Sequence, residues 1–141
     1  MKILLVIALH RDWDIRQWDV IAAYLQAELH YDVCVSDVNE DGGIEYWELN
    51  KALYGLKQSG HELYKTFQEI LEIARLKQCI GDEGAYASTD GNIIVGTHVD
   101  DLIEIAPQGK DLDKVKASCE KQIKLEKRGS SKDAENETDV E

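Results

Sequence analysis

One local arrangement is suited to chemistry: Val99-Asp100-Asp101 stands between two apolar runs, residues 93–95 and 102–105. Adjacent carboxylates at a hairpin tip repel each other and give up strand propensity, so they need either bulk solvent or a cation. A solvated turn meets the first condition, since Asp is a common turn residue. Oxygen ligands on a rigid hairpin meet the second, and they suit a hard cation such as Mg²⁺. Asp19 decides between these readings. It lies in Gln17-Trp18-Asp19-Val20, a strand-like setting where an unpaired charge is costly to bury. If that strand runs beside the Asp100 hairpin, three carboxylates share one face. Such a face can bridge two divalent ions about 3.5–4 Å apart and drive in-line attack on a phosphate.

For these acids to meet, the surrounding elements must build a sheet. Residues 17–21 are β-capable and 22–29 favour helix, while 31–35 alternate as a strand does. Gly42-Gly43 predicts a turn over 38–43 before a strand over 44–49. Ser59 and Glu62 have capping-box spacing, and Leu63, Phe67, Ile70, Leu71 and Ala74 continue an amphipathic helix to Lys77. Asp90-Gly91 predicts a hairpin between 85–88 and 92–97. A second reversal at 98–101 leads into a strand over 102–106, and 111–127 return to helical spacing. Residues 3–9 are apolar on all sides, as in a mostly buried helix. The order implies an α+β fold with helices on one face of an antiparallel sheet.

A length of 141 residues with 43% apolar content supports one modest core. Sixteen basic against 28 acidic residues give a net charge of −12, which argues against a basic surface that grips phosphates. Cys34, Cys79 and Cys119 have no metal or disulfide spacing, which suits a reducing compartment. The apolar run at residues 3–9 has no cleavage site after it and is too short to cross a bilayer. No signal peptide, transmembrane segment or membrane partner is therefore expected, and the location expected is intracellular, in cytoplasm or nucleus. Beyond residue 128, Val140 is the one large apolar side chain. Residues 1–128 are expected as the folded segment and 129–141 as a disordered polar tail.

Three segments taken in order carry a family resemblance. Gln17-Trp18-Asp19-Val20-Ile21-Ala22-Ala23-Tyr24-Leu25, then Leu53-Tyr54-Gly55-Leu56-Lys57-Gln58-Ser59-Gly60, then His98-Val99-Asp100-Asp101 resemble motifs A, B and C of copia-type LTR-retrotransposon reverse transcriptases. The resemblance implies a ferredoxin-like polymerase palm, an antiparallel sheet backed by helices. It implies that Asp19, Asp100 and Asp101 are catalytic metal ligands, with the Val20 carbonyl assisting, and that the cofactor is Mg²⁺, with Mn²⁺ as an alternative. Tyr24 falls where the family places the aromatic gate against a ribose 2′-hydroxyl. Gly55 would let the backbone approach the nucleotide, and Lys57 lies in the same segment. From the residues alone, Tyr24 also fits a core position, Gly55 a plain turn and Lys57 a solvated charge.

Two positions depart from the family pattern, which usually has Tyr in place of His98 and Trp in place of Leu63. Neither removes a metal ligand. The resemblance further implies an RNA/DNA primer–template and deoxynucleoside triphosphates as partners. The fingers, thumb, connection and RNase H regions of the family are not in this sequence, so weak or no synthesis by the isolated chain is expected. Residues 1–109 carry eight Lys or Arg against nineteen Asp or Glu, an acidic surface that needs metal or a basic partner near a phosphate chain. The alternative expectation is a repurposed remnant acting as a non-catalytic binding or structural module, with self-association or a protein partner through exposed apolar faces.

Overall fold

Trp18 and Val20 pack into one hydrophobic cluster while Trp13 and Ile15, on the same strand, pack against another. The strand that carries Asp19 is thus covered on both faces. In the computed structural model, which describes residues 2–110 and 113–130, this strand is β1 (Trp13–Val20), preceded by α1 (Lys2–Arg11). There follow α2 (Ala23–Gln26), β2 (Cys34–Val38), β3 (Ile44–Glu48), α3 (Ser59–Ile73), β4 (Leu76–Cys79), β5 (Asp82–Ser88), β6 (Ile94–His98), β7 (Asp101–Pro107), α4 (Asp113–Glu120) and β8 (Leu125–Ser130). Six strands form one antiparallel sheet in the order β4-β5-β6-β7-β1-β8, and β2-β3 form a separate ribbon.

The larger cluster lies between the sheet and α3 with α4, through Leu63, Phe67, Ile70, Leu71, Val115 and Cys119 against Trp18, Val95 and Leu102. The smaller one lies on the opposite face, where Leu4 and Ala8 of α1 meet Ile103 and Ile105. Alternation along β7 explains the division, since successive residues of a strand point to opposite faces. The protein is therefore α+β with an antiparallel sheet backed by helices, and the helices occupy both faces where one was expected. Helix α1 is also less buried than its composition suggests. The sheet covers a single stripe of it, so Ile3, Val6 and Leu9 remain exposed.

Other boundaries moved for identifiable reasons. Ser59 is the first residue of α3 and caps nothing; its hydroxyl donates to the Leu53 carbonyl at 2.6 Å and accepts from the Leu53 amide at 3.1 Å. Helix α3 stops at Ile73 because Arg75 turns left-handed, with φ 64°, and residues 76–79 add β4 at the sheet edge. The helix expected to Lys127 ends at Glu120, and residues 125–130 pair with β1 instead. Gly129 and Ser130, expected in the tail, are thus sheet residues; the rest of that tail lies outside the described residues.

Glu62 takes no part in a capping box. It is buried, and its carboxylate meets His30 Nδ1 at 2.8 Å and Lys65 Nζ at 3.4 Å. Burial opposes its ionisation, but these two contacts outweigh it and hold the carboxyl below the usual range.

Candidate functional site

Strands β1 and β7 pair so that Asp19 stands opposite Asp101, and β6 and β7 close a hairpin at the pair His98 and Asp101. Directly opposed residues of an antiparallel pair have Cα atoms about 4.5–5.5 Å apart. Two carboxylates therefore share one face of the sheet, with Asp100 at the tip of the adjoining hairpin.

Val99 gives that tip its shape. Its φ of 55° is left-handed, where a β-branched residue is strained and where two-residue hairpins ordinarily place glycine. The tip is then pinned to β1, because the Val20 amide donates to the Asp100 carbonyl at 2.7 Å. Val20 itself is anchored by a side chain buried in the larger core. Strain of this kind, of order 1–3 kcal/mol, persists where the surroundings over-determine the backbone, and it clusters at functional sites.

Two further residues touch the carboxylates, and neither stands out in the sequence motifs. Gln17, two residues before Asp19 and on the same face, donates from Nε2 to Asp101 Oδ1 at 3.1 Å. Arg128 places Nη2 2.8 Å from Asp19 Oδ1. That oxygen is shielded from solvent and receives no well-aligned hydrogen bond, so the guanidinium compensates its charge without satisfying it as an acceptor. Strand β8 was hard to foresee because charged residues dominate it. Its one cue was Leu125, whose side chain packs against the larger core.

A buried acceptor lacking an aligned donor, opposed by a second carboxylate, fits a hard divalent cation in its donor chemistry. Among the described residues no three His, Cys, Asp or Glu side chains are already gathered as a cage. Like charges have no reason to converge by themselves.

The nucleotide-side residues fall into two groups. Tyr24, half-buried on α2, meets Tyr54 edge-to-face with ring centroids 4.5 Å apart, which ties α2 to the segment containing Gly55. Gly55 has φ 93°, and the space a Cβ would enter there is open. Lys57 is exposed, as is His98. Leu63 is buried in the core, a purely apolar role.

On the opposite face of β7, Glu104 is fully buried and both its carboxylate oxygens lack hydrogen bonds of good geometry, as does the facing Trp18 indole N–H. Burial pushes its carboxyl up to about 7, against the opposing influence of Trp18 and Arg16. The signal was a single charge interrupting the apolar run over 102–106.

Residues 1–134 match a family model described as "Reverse transcriptase (RNA-dependent DNA polymerase)". The chain is 33% identical over 109 residues to the retrovirus-related Pol polyprotein from transposon RE1 of Arabidopsis thaliana, covering 73% of this chain and 7% of that protein. Against the corresponding polyprotein from transposon RE2 of the same plant, identity is 32%, covering 73% of this chain and 8% of that protein. A putative transposon Ty5-1 protein of Saccharomyces cerevisiae is 31% identical, with 73% of this chain and 35% of that protein covered. The chain thus spans less than a tenth of the two plant polyproteins. Among the described residues no helix is long and apolar enough to cross a membrane.

Proposed function

This chain belongs to the reverse transcriptase (RNA-dependent DNA polymerase) family, in its copia-type retrotransposon branch, and from that premise we propose that the β1–β7 junction is the carboxylate centre of a ferredoxin-like polymerase palm. The reaction is RNA-directed DNA synthesis, in which a primer 3′-hydroxyl attacks the α-phosphate of a deoxynucleoside triphosphate. The observation that carries this reading is the opposition of Asp19 and Asp101 beside a hairpin tip pinned through Asp100.

Asp19, Asp100 and Asp101 would hold two divalent ions, Mg²⁺ or Mn²⁺, with the Val20 carbonyl assisting. Those ions, when bound, supply activation of the 3′-hydroxyl and charge neutralisation at the departing pyrophosphate. The chain's own groups arrange the site. Gln17 orients Asp101 through its amide N–H. The link from the Val20 amide to the Asp100 carbonyl fixes the tip against β1. Tyr24, braced by Tyr54, presents an aromatic edge suited to excluding a ribose 2′-hydroxyl, and Gly55 leaves room for close backbone approach. Exposed Lys57 offers a charge to the triphosphate. The palm segment then extends through β8 to Ser130.

Primer extension with Mg²⁺ or Mn²⁺, comparing the chain with Asp100→Asn, tests the assignment. Extension abolished in the variant is expected; equal extension by both proteins would overturn it. A second reading, a non-catalytic module that associates through apolar surface, is favoured by one specific feature. Val38, Ile44, Tyr46 and Trp47 are all exposed on the β2–β3 ribbon, and a lone two-stranded ribbon is marginal in water. Concentration-dependent light scattering without divalent-dependent extension would support that reading over the first.

A further inference from the structure

Arg128 reaches Asp19 because of an irregularity in the sheet. Between β1 and β8, Gln17 pairs with Gly129 and the next residue, Trp18, pairs with Lys127. Arg128 is skipped, so it is the extra residue of a β-bulge. Bulges re-aim side chains and recur beside active sites. Here the bulge sends a guanidinium onto the oxygen that a divalent ion would need, with Nη2 2.8 Å from Asp19 Oδ1.

The two partners differ in their surroundings. The Asp19 side chain is 18% exposed, whereas that of Arg128 is 56% exposed. The acid is therefore fixed and partly desolvated, while the base lies largely in solvent and can swing away at little cost. Oδ1 gains no aligned N–H from the contact, so the guanidinium supplies charge but leaves the oxygen's lone pairs directed elsewhere. A guanidinium and a divalent ion cannot both sit on this one shielded oxygen.

We propose that Arg128 is a tethered counter-ion that holds Asp19 in the metal-free protein and must be displaced when a divalent cation binds. This inference rests on the reading of Asp19 as a metal ligand. It adds that the chain competes with its own metal through a residue on β8, so the bulge sets how much free ion is needed to load the site. The contact also keeps a lone carboxylate from facing Asp101 uncompensated.

Calorimetric titration of Mn²⁺ into the full chain, supported by water-proton relaxation, tests this without any turnover. Arg128→Gln and Arg128→Met remove the charge while keeping an unbranched stem, and circular dichroism checks that both variants fold. Both are expected to bind Mn²⁺ up to about fivefold more tightly than the unmodified chain, the most that a largely exposed ion pair can withhold. Arg128→Lys is expected to return most of the weaker affinity. Unchanged or weaker affinity in Gln and Met variants that are folded would overturn the competition while leaving the metal reading intact. Absence of Mn²⁺ binding in all four proteins, or binding that survives Asp19→Asn, would overturn the metal reading and this inference with it.

Discussion

Asp19 on β1 stands directly opposite Asp101 on β7, the one like-charged pair in the register of these two strands. Like charges directly opposite cost roughly 0.2–1 kcal/mol relative to neutral pairs. Arg128 offsets the charge of Asp19 alone, so part of this cost stands until a divalent cation spans the pair. Asp101→Asn keeps the acceptor oxygen that Gln17 uses and removes the repulsion. The variant is expected to be more stable than the unmodified chain by up to about 1 kcal/mol in chelator-treated buffer, and to lose the stabilisation that added Mn²⁺ gives the unmodified chain. Urea unfolding with and without Mn²⁺ measures both effects. Lower stability of the variant in the absence of divalent ions would show that the opposed pair is not strained.

Glu104 predicts a pH dependence of opposite sign to ordinary acid denaturation. Its carboxyl is raised from an ordinary 4.5 to about 7, chiefly by burial. Between those values the folded state holds a proton that the unfolded chain releases. The contribution of Glu104 to stability is therefore fully present below about 4.5 and is lost as pH rises through 7, by roughly 1.4 kcal/mol per unit, with a total on the order of 3 kcal/mol. The charged groups facing it are Arg16 on β1 with Asp113 and Lys116 on α4; burial, helped by the nearby Glu104 charge, pushes the Cys119 thiol up to about 12. Glu104→Gln should flatten the slope between pH 5 and 7, and Glu104→Leu should raise stability at pH 8 by removing an unpaired buried charge. An unchanged slope in Glu104→Gln would refute the assignment.

Glu62 works in the reverse sense. Its folded value lies below the ordinary one, so its contribution is fully present above the unfolded value near 4.5 and disappears as pH falls through the folded value. Glu62→Gln is expected to cost most at neutral pH, where Lys65 loses its ionic partner and His30 a charged hydrogen-bond acceptor, and to converge with the unmodified protein in acid. Thermal melts of the two proteins from pH 3 to 7 test this. A gap that does not change with pH would mean that the loss is one of packing.

These acids show where sequence reading reached and where it stopped. Asp19 was legible because an acid between Trp18 and Val20 breaks an apolar strand, and Asp100-Asp101 because they interrupt two apolar runs. The α+β order followed from the period of the hydrophobic pattern, which is local information. Pairing partners are not local. Apart from Leu125, residues 124–130 carry the pattern of a charged helix end; β1 supplies the hydrogen-bonding edge that overrides it. Hence Arg128 is expected only as the last residue of the folded segment, whereas its guanidinium lies 2.8 Å from Asp19 Oδ1. Glu62 had the spacing of a capping box, but His30, thirty-two residues earlier, offered it a stronger partner than the Ser59 amide. The apolar character of α1 was legible, yet how much of it the sheet would cover depends on the one stripe that packs against Ile103 and Ile105.

The hairpin tip yields the last prediction, because two effects at Val99 oppose each other. A β-branched residue at φ 55° is strained by about 1–2 kcal/mol, and glycine would relieve that. Glycine also adds about 0.5–1 kcal/mol of unfolded-state entropy, and it removes a side chain that packs partly against the larger core, worth about 1 kcal/mol. The terms nearly cancel, so Val99→Gly is expected to change global stability by less than about 1 kcal/mol. The local effect should not cancel. A glycine tip samples more conformations, and the Val20 amide bonded to the Asp100 carbonyl should exchange its hydrogen severalfold faster, with Mn²⁺ binding weakened in step. Amide exchange at Val20 beside the unfolding free energy separates these outcomes. A loss above about 2 kcal/mol would mean that Val99 acts through packing, whereas unchanged exchange would mean that the tip is held by contacts other than this bond.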